Sequence, residues 1–92
     1  MIIPLRCVGI DVSKHFLDIF DEATGASERI ANATQAITQL VARWRCDALV
    51  VFEATGVYDL ELREALRQAG VRFARINPAR ARDFARASGQ LA

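Results

Sequence analysis

Apolar and polar positions alternate with period two over the first part of the chain and then change to a helical period. Cys7 to Val12 and His15 to Phe20 are two short β-rich runs joined by Ser13 and Lys14, a connection short enough for a tight antiparallel turn. They predict a hairpin. Asp21 to Gly25 is rich in turn formers, and Ser27 to Ala31 reads as a third strand, more polar, as suits a sheet edge. Beyond it Ile37, Leu40, Val41 and Trp44 recur at i, i+3, i+4 and i+7, behind an Asn32-x-x-Gln35 pair able to form a capping box. This predicts a helix over residues 33–45. Ala48 to Phe52 is a continuous apolar run between Asp47 and Glu53, as expected of a central parallel strand covered on both faces. Tyr58, Leu62, Ala65, Leu66 and Ala69 share one face of a second helix, with Gly70 where a left-handed C-cap belongs. Val71 to Ile76 predicts a fifth strand, and Asn77-Pro78 opens a third helix that continues to Ser88, before Gly89.

The order β-β-β-α-β-α-β-α describes an α/β protein, an antiparallel meander followed by two helix-connected strands that add in parallel. The expected result is a five-stranded mixed sheet with the first strand at its centre, beside the fourth. No internal repeat, low-complexity tract or linker interrupts residues 1–92, which read as a single, partial domain. At that length roughly 60% of the unfolded surface can be buried, so stability is expected to be marginal. A content of 52% hydrophobic and 25% charged residues excludes a disordered or collagen-like chain.

Net charge is only +1, yet the residues up to Leu62 carry −4 and those after it +5. A domain with an acidic metal pocket and a phosphate-facing basic end has this asymmetry, as do helices whose charges are merely solvated. Cys7 and Cys46 form no C-x-x-C and fit neither a zinc pattern nor a small disulfide scaffold, so they read as buried thiols in a reducing cytoplasm. The longest uninterrupted apolar run, Ala48 to Phe52, is far too short to span a membrane, and Met1 to Arg6 has no export signal. A cytoplasmic location is the expectation.

Two acids stand out. Asp11 lies in the first strand on the side it shares with the small residues Cys7 and Gly9, while Val8, Ile10 and Val12 point the other way. Glu53 ends the fourth strand before Ala54-Thr55-Gly56, and the carboxyl ends of strands are where crevices form in α/β sheets. If those strands are neighbours, both acids face one crevice. Paired carboxylates repel unless a cation such as Mg²⁺ neutralises them. Phosphodiester chemistry uses such cations, often two of them roughly 3.5 to 4 Å apart. The plainer reading is that Asp11 begins a turn and Glu53 caps a helix.

Three segments add to this. Gly9-Ile10-Asp11-Val12-Ser13-Lys14, Phe52-Glu53-Ala54-Thr55-Gly56-Val57-Tyr58, and Ile76-Asn77-Pro78 with Phe84-Ala85-Arg86-Ala87-Ser88-Gly89 occur in this order over nearly the whole chain. Together they resemble the amino-terminal domain of the DEDD class of bacterial insertion-sequence transposases, relatives of the Piv-type DNA invertases. The resemblance implies an RNase H-like fold of the RuvC-like kind, with DNA as partner and metal-dependent strand cleavage and joining as the activity of the full-length protein. By it, Asp11 and Glu53 match the first two metal-binding acids, for Mg²⁺ or Mn²⁺. The last two acids are expected on a helix beyond Ala92, so the chain reads as a piece truncated before its last catalytic helix. The family is also associated with a carboxy-terminal domain carrying a serine nucleophile and with a structured guide RNA. A fragment holding two of the four acids is expected to bind metal weakly and to be inactive alone, and it could self-associate through the uncovered sheet.

Softer candidates for nucleic-acid contact are Lys14, just past the first strand, and Arg80, Arg82 and Arg86 on the third helix. His15, the single histidine, has no partner at catalytic spacing, and Trp44 and Tyr58 read as core. A competing class is an actin or sugar-kinase type ATPase half, which shares the strand order and a Gly-Ile-Asp hairpin. Such kinases place Gly with Ser or Thr after the Asp to put backbone N–H groups on phosphate, whereas Val12-Ser13-Lys14 follows here. A Holliday-junction resolvase-like domain and a non-catalytic nucleic-acid-binding remnant are the other readings. An Asp-x-x-Asp helix downstream separates the transposase from the remnant.

Overall fold

A computed structural model describes residues 6–44 and 48–77. Its elements are β1 (Arg6–Val12), β2 (Phe16–Asp21), β3 (Ser27–Ala31), α1 (Thr34–Val41), β4 (Ala48–Glu53), α2 (Leu60–Ala69) and β5 (Arg72–Ile76). The third helix expected after Asn77 lies outside the described residues, with Arg80, Arg82 and Arg86, and so does Cys46. The strands form one mixed sheet in the order β3-β2-β1-β4-β5. Pairs β1–β2 and β2–β3 are antiparallel, and pairs β1–β4 and β4–β5 are parallel. The expected five-stranded sheet, with β1 central and β4 beside it, is therefore present.

Alternation builds the core. Val8, Ile10 and Val12 of β1, Leu17 and Ile19 of β2, and Ala48, Val50 and Phe52 of β4 are buried against Ile37, Leu40 and Val41 of α1 and Leu62 and Leu66 of α2. Phe73 of β5 stacks on Phe52, with ring centroids 5.9 Å apart. Both helices thus pack on one face of the sheet. The crossovers β3-α1-β4 and β4-α2-β5 advance in the same direction, and connections of one hand that do so leave their helices on the same side.

That geometry corrects the expectation that β4 is covered on both faces. Ala48, Val50 and Phe52 are buried, but Leu49 and Val51 on the other face are only half-buried, because among the described residues nothing packs over them. The apolar run reflects a second face that the described residues leave half-covered. Cys7, on that same face, is likewise half-buried rather than buried, and it is a free thiol. Burial, and then the neighbouring charge and hydrogen bond of Glu22, push its pKa up.

Two helix boundaries also differ. The first residue preceding α1 is Ala33, which offers no side-chain cap, and Asn32 is used elsewhere, so no capping box forms. Trp44 lies beyond the helix yet remains in the core at 8% exposure. Tyr58 precedes α2 and is 42% exposed, so it is not part of the apolar stripe. Gly70 does terminate α2, with φ of 70°, where a side chain would be strained.

Candidate functional site

Because residues alternate along a strand, burying Ile10 and Val12 turns Asp11 to the open face, and burying Phe52 does the same for Glu53. The β1–β4 ladder runs from Arg6↔Ala48 to Ile10↔Phe52, so its register brings Asp11 level with Glu53 on neighbouring strands. The ladder stops one step short of them. Asp11 is paired with Asp18 of β2, and Glu53 with Ile76 of β5, each on the side away from the other acid. Both are exposed, and among the described residues neither side chain makes a hydrogen bond or an ion pair. They line an open trough of about 870 Å³ together with Gly9, Asp18, Val51 and Ile76. The two sequence-predicted acids thus share one face and one depression.

A third carboxylate stands in the same row. Asp18 sits directly across from Asp11, and Arg29 directly across from Asp18. The Arg29 guanidinium donates from Nε to Asp18 Oδ1 at 2.7 Å and from Nη2 to Oδ2 at 3.2 Å. Its hydrogen bond, followed by its charge, outweighs partial burial and holds Asp18 below the usual carboxylate range. Arg29 in turn is pushed up by the Asp18 hydrogen bond and charge, and also by the charge of Asp11. It also lies over the ring of Phe16, 4.7 Å from the centroid. The row across four strands reads Arg29, Asp18, Asp11, Glu53. Alternation could have found Asp18, because burying Leu17 and Ile19 leaves it on the Asp11 side.

With Asp18 engaged by Arg29, no group of three or more Asp, Glu, His or Cys gathers closely enough among the described residues to hold a metal ion. Of the three acids in the row, Asp11 and Glu53 are the two whose carboxylates make no hydrogen bond or ion pair among the described residues. Asp11→Ala is therefore expected not to lower thermal stability in metal-free buffer, and to raise it by about 1 kcal/mol or less, since it removes a like charge from between two others. A thermal melt checks this. A fall of several degrees would show Asp11 to be a structural hydrogen-bonding residue.

Behind Glu53 the loop of residues 54–59 is fixed by a residue not anticipated from the sequence. Asp59 is fully buried and bonds Arg63 Nε at 3.0 Å, Arg75 Nε at 2.7 Å and the Thr55 amide at 3.2 Å. Burial pushes its carboxyl up, but the Arg75 hydrogen bond, the Thr55 amide, the Arg75 charge and the Arg63 hydrogen bond together hold it below the usual carboxylate range. Arg75 Nη2 also donates to the Gly56 carbonyl at 3.4 Å, and the Ala54 amide continues the sheet by donating to Ile76. Two of the basic residues that tilt the charge of the second half are thus spent on one buried acid.

Of the softer candidates, Lys14 is exposed in the β1–β2 turn, without an ion pair among the described residues. His15 is exposed as well, and it contributes its carbonyl, which accepts from the Asn32 amide. No helix among the described residues is long and apolar enough to cross a membrane.

No family model and no curated protein matches this sequence. Among solved structures, the fold is similar to a chain in the cryo-electron microscopy structure of the simian T-cell lymphotropic virus intasome in complex with PP2A regulatory subunit B56 gamma. That similarity has a TM-score of 0.54 at 15% identity and covers 99% of this chain and 40% of the other. At such an identity it bears on the fold, and this chain spans well under half the length of that neighbour.

Proposed function

We propose that the chain is the amino-terminal part of an RNase H-like, metal-dependent DNA-processing domain of the DEDD transposase type, in which Asp11 and Glu53 hold a divalent cation against DNA. The observation that carries this reading is their placement, level on neighbouring parallel strands, on one open face, with no hydrogen-bonded or ion-paired partner among the described residues. The donor chemistry fits a hard cation such as Mg²⁺ or Mn²⁺, which takes carboxylate oxygens and completes its shell with water. A cation held there would supply Lewis-acid activation of a phosphodiester. The protein's own part is to keep the two carboxylates side by side, while Arg29 draws Asp18 away from them and adds a positive charge at the far end of the row. The ATPase alternative loses support in the hairpin turn. Both the Ser13 amide and the Ser13 hydroxyl donate to the Phe16 carbonyl, so Ser13 spends its donors internally instead of offering them to phosphate.

Mn²⁺ titration followed by amide NMR tests the reading. Broadening is expected first around Asp11 and Glu53, at metal concentrations on the order of millimolar, because two carboxylates leave most of the octahedral shell to water. The double substitution Asp11→Asn with Glu53→Gln should abolish it. Broadening centred elsewhere, or unchanged in the double variant, would overturn the proposal. The same incomplete set of ligands gives the expectation that this chain alone does not nick supercoiled plasmid with Mg²⁺ or Mn²⁺. Nicking abolished by both Asp11→Ala and Glu53→Ala would show that two acids suffice.

A further inference from the structure

Asp11 and Glu53 lie just past the last rung of the β1–β4 ladder, so the paired backbones fix them from one side only. On the other side lie the segments that follow the two strands. Among the described residues, one side chain bonds the segments that follow both strands. Asn32, between β3 and α1, donates from Nδ2 to the Ser13 carbonyl at 2.8 Å and to the Tyr58 carbonyl at 2.9 Å. Ser13 follows β1 directly behind Asp11 and Val12, and Tyr58 lies in the segment leading from Glu53 to α2. The backbone amide of Asn32 donates to the His15 carbonyl at 2.9 Å, gripping the same turn from its other side.

We propose that Asn32 is a positioning residue for the carboxylate pair, a clamp that fixes the spacing of Asp11 and Glu53 by tying together the loops that leave their strands. This rests on the reading of those acids as a cation-holding pair. The chemistry selects asparagine. Both partners are carbonyl oxygens, so two N–H donors on one nitrogen are needed, and a carboxylate of the same size would present only acceptors to them. The bonds are well placed to matter, because Asp59 pins the same loop at Thr55 while Arg75 pins it at Gly56, leaving Tyr58 as the point where it joins the β1 side. Groups that orient metal-holding side chains from behind typically change metal affinity by about 10- to 100-fold when removed.

The test compares the wild-type chain with Asn32→Asp, Asn32→Ala and a control, Ile37→Val, chosen to lose a similar amount of melting temperature from the core. Mn²⁺ affinity at Asp11 and Glu53 is expected to fall about 10-fold or more in both Asn32 variants and to hold in the control. Amide hydrogen exchange is measured on the same proteins without metal. It should quicken in residues 12–15 and 56–60 of the Asn32 variants, while the β1–β4 ladder stays protected. Unchanged exchange in those two loops overturns the clamp whether or not metal binds, as does unchanged Mn²⁺ affinity where the wild type binds. If the wild-type chain shows no Mn²⁺ effect at the two acids but the loops loosen, the tie stands and the metal reading alone fails.

Discussion

Asp59→Ala is expected to lower the stability of the folded chain by about 2 to 4 kcal/mol, somewhat less than the cost of breaking a fully buried ion pair. The discount reflects the partners, since the side chains of Arg63 and Arg75 keep 27% and 34% exposure and can turn to water when the acid is removed. What they cannot restore is the acceptor for the Thr55 amide or the packing of a side chain with no exposed surface. In a domain of this size the loss corresponds to a melting temperature lower by roughly 10 to 25 °C. A thermal melt and a urea titration at neutral pH would measure it. A change within about 0.5 kcal/mol, the ordinary effect of a surface substitution, would show the cluster to be incidental. The pH dependence follows from the same residue. Its folded pKa lies below the unfolded value of about 3.9, so its contribution is complete above that value and is lost as pH falls through the lower, folded one. Asp18, held down by Arg29, and Asp21, held down by Arg6, act in the same direction. Acid unfolding below about pH 4 should therefore be steep in the wild type and shallower in Asp59→Asn.

Phe52→Ala should cost more, about 3 to 5 kcal/mol, the range for truncating a buried aromatic. Phe52 is 2% exposed, is the last core residue before Glu53, and loses its stacking on Phe73 when shortened. For a small domain of marginal stability this is enough to leave much of the chain unfolded, which circular dichroism at 25 °C would register directly. Phe52→Leu, which keeps most of the volume, should leave it folded. The pair of variants also tests the register. If Phe52→Ala were tolerated, Phe52 would not be the residue facing the helices, and by alternation Glu53 would not face the open side.

Much of this arrangement was legible in the sequence because period-two and period-3.6 patterns are local. Leu17 and Ile19 declare one face of β2, and Ile37, Leu40 and Val41 one face of α1, so element order, the central position of β1 and the shared face of Asp11 and Glu53 followed. The misreadings arise where a side chain serves a distant partner. Asn32 looked like a cap for the helix beside it, but its amide is spent on Ser13 and Tyr58, far away in sequence. Asp59 and Arg75 carry no local pattern at all. A buried ion pair between a loop and an edge strand becomes visible only once β5 is laid beside β4. Ala48 to Phe52 was misread for a different reason: an apolar run tells that both faces tolerate burial, not that both are covered.

The two strands at the margins of the sheet have a further consequence. Among the described residues the sheet ends on β3 and β5, each only five residues long, one carrying Glu28 and Arg29 and the other Arg72 and Arg75. A neighbouring copy that tried to lengthen the sheet would find few free backbone groups at either margin, and at β5 would have to bring arginines close together, devices by which β-proteins resist edge-to-edge aggregation. Arg75 is already committed to Asp59 and Arg29 to Asp18, so neither margin can rearrange without breaking an ion pair. Fibril-like growth is thus opposed at both ends of the sheet, by short strands at both and by charge repulsion at β5.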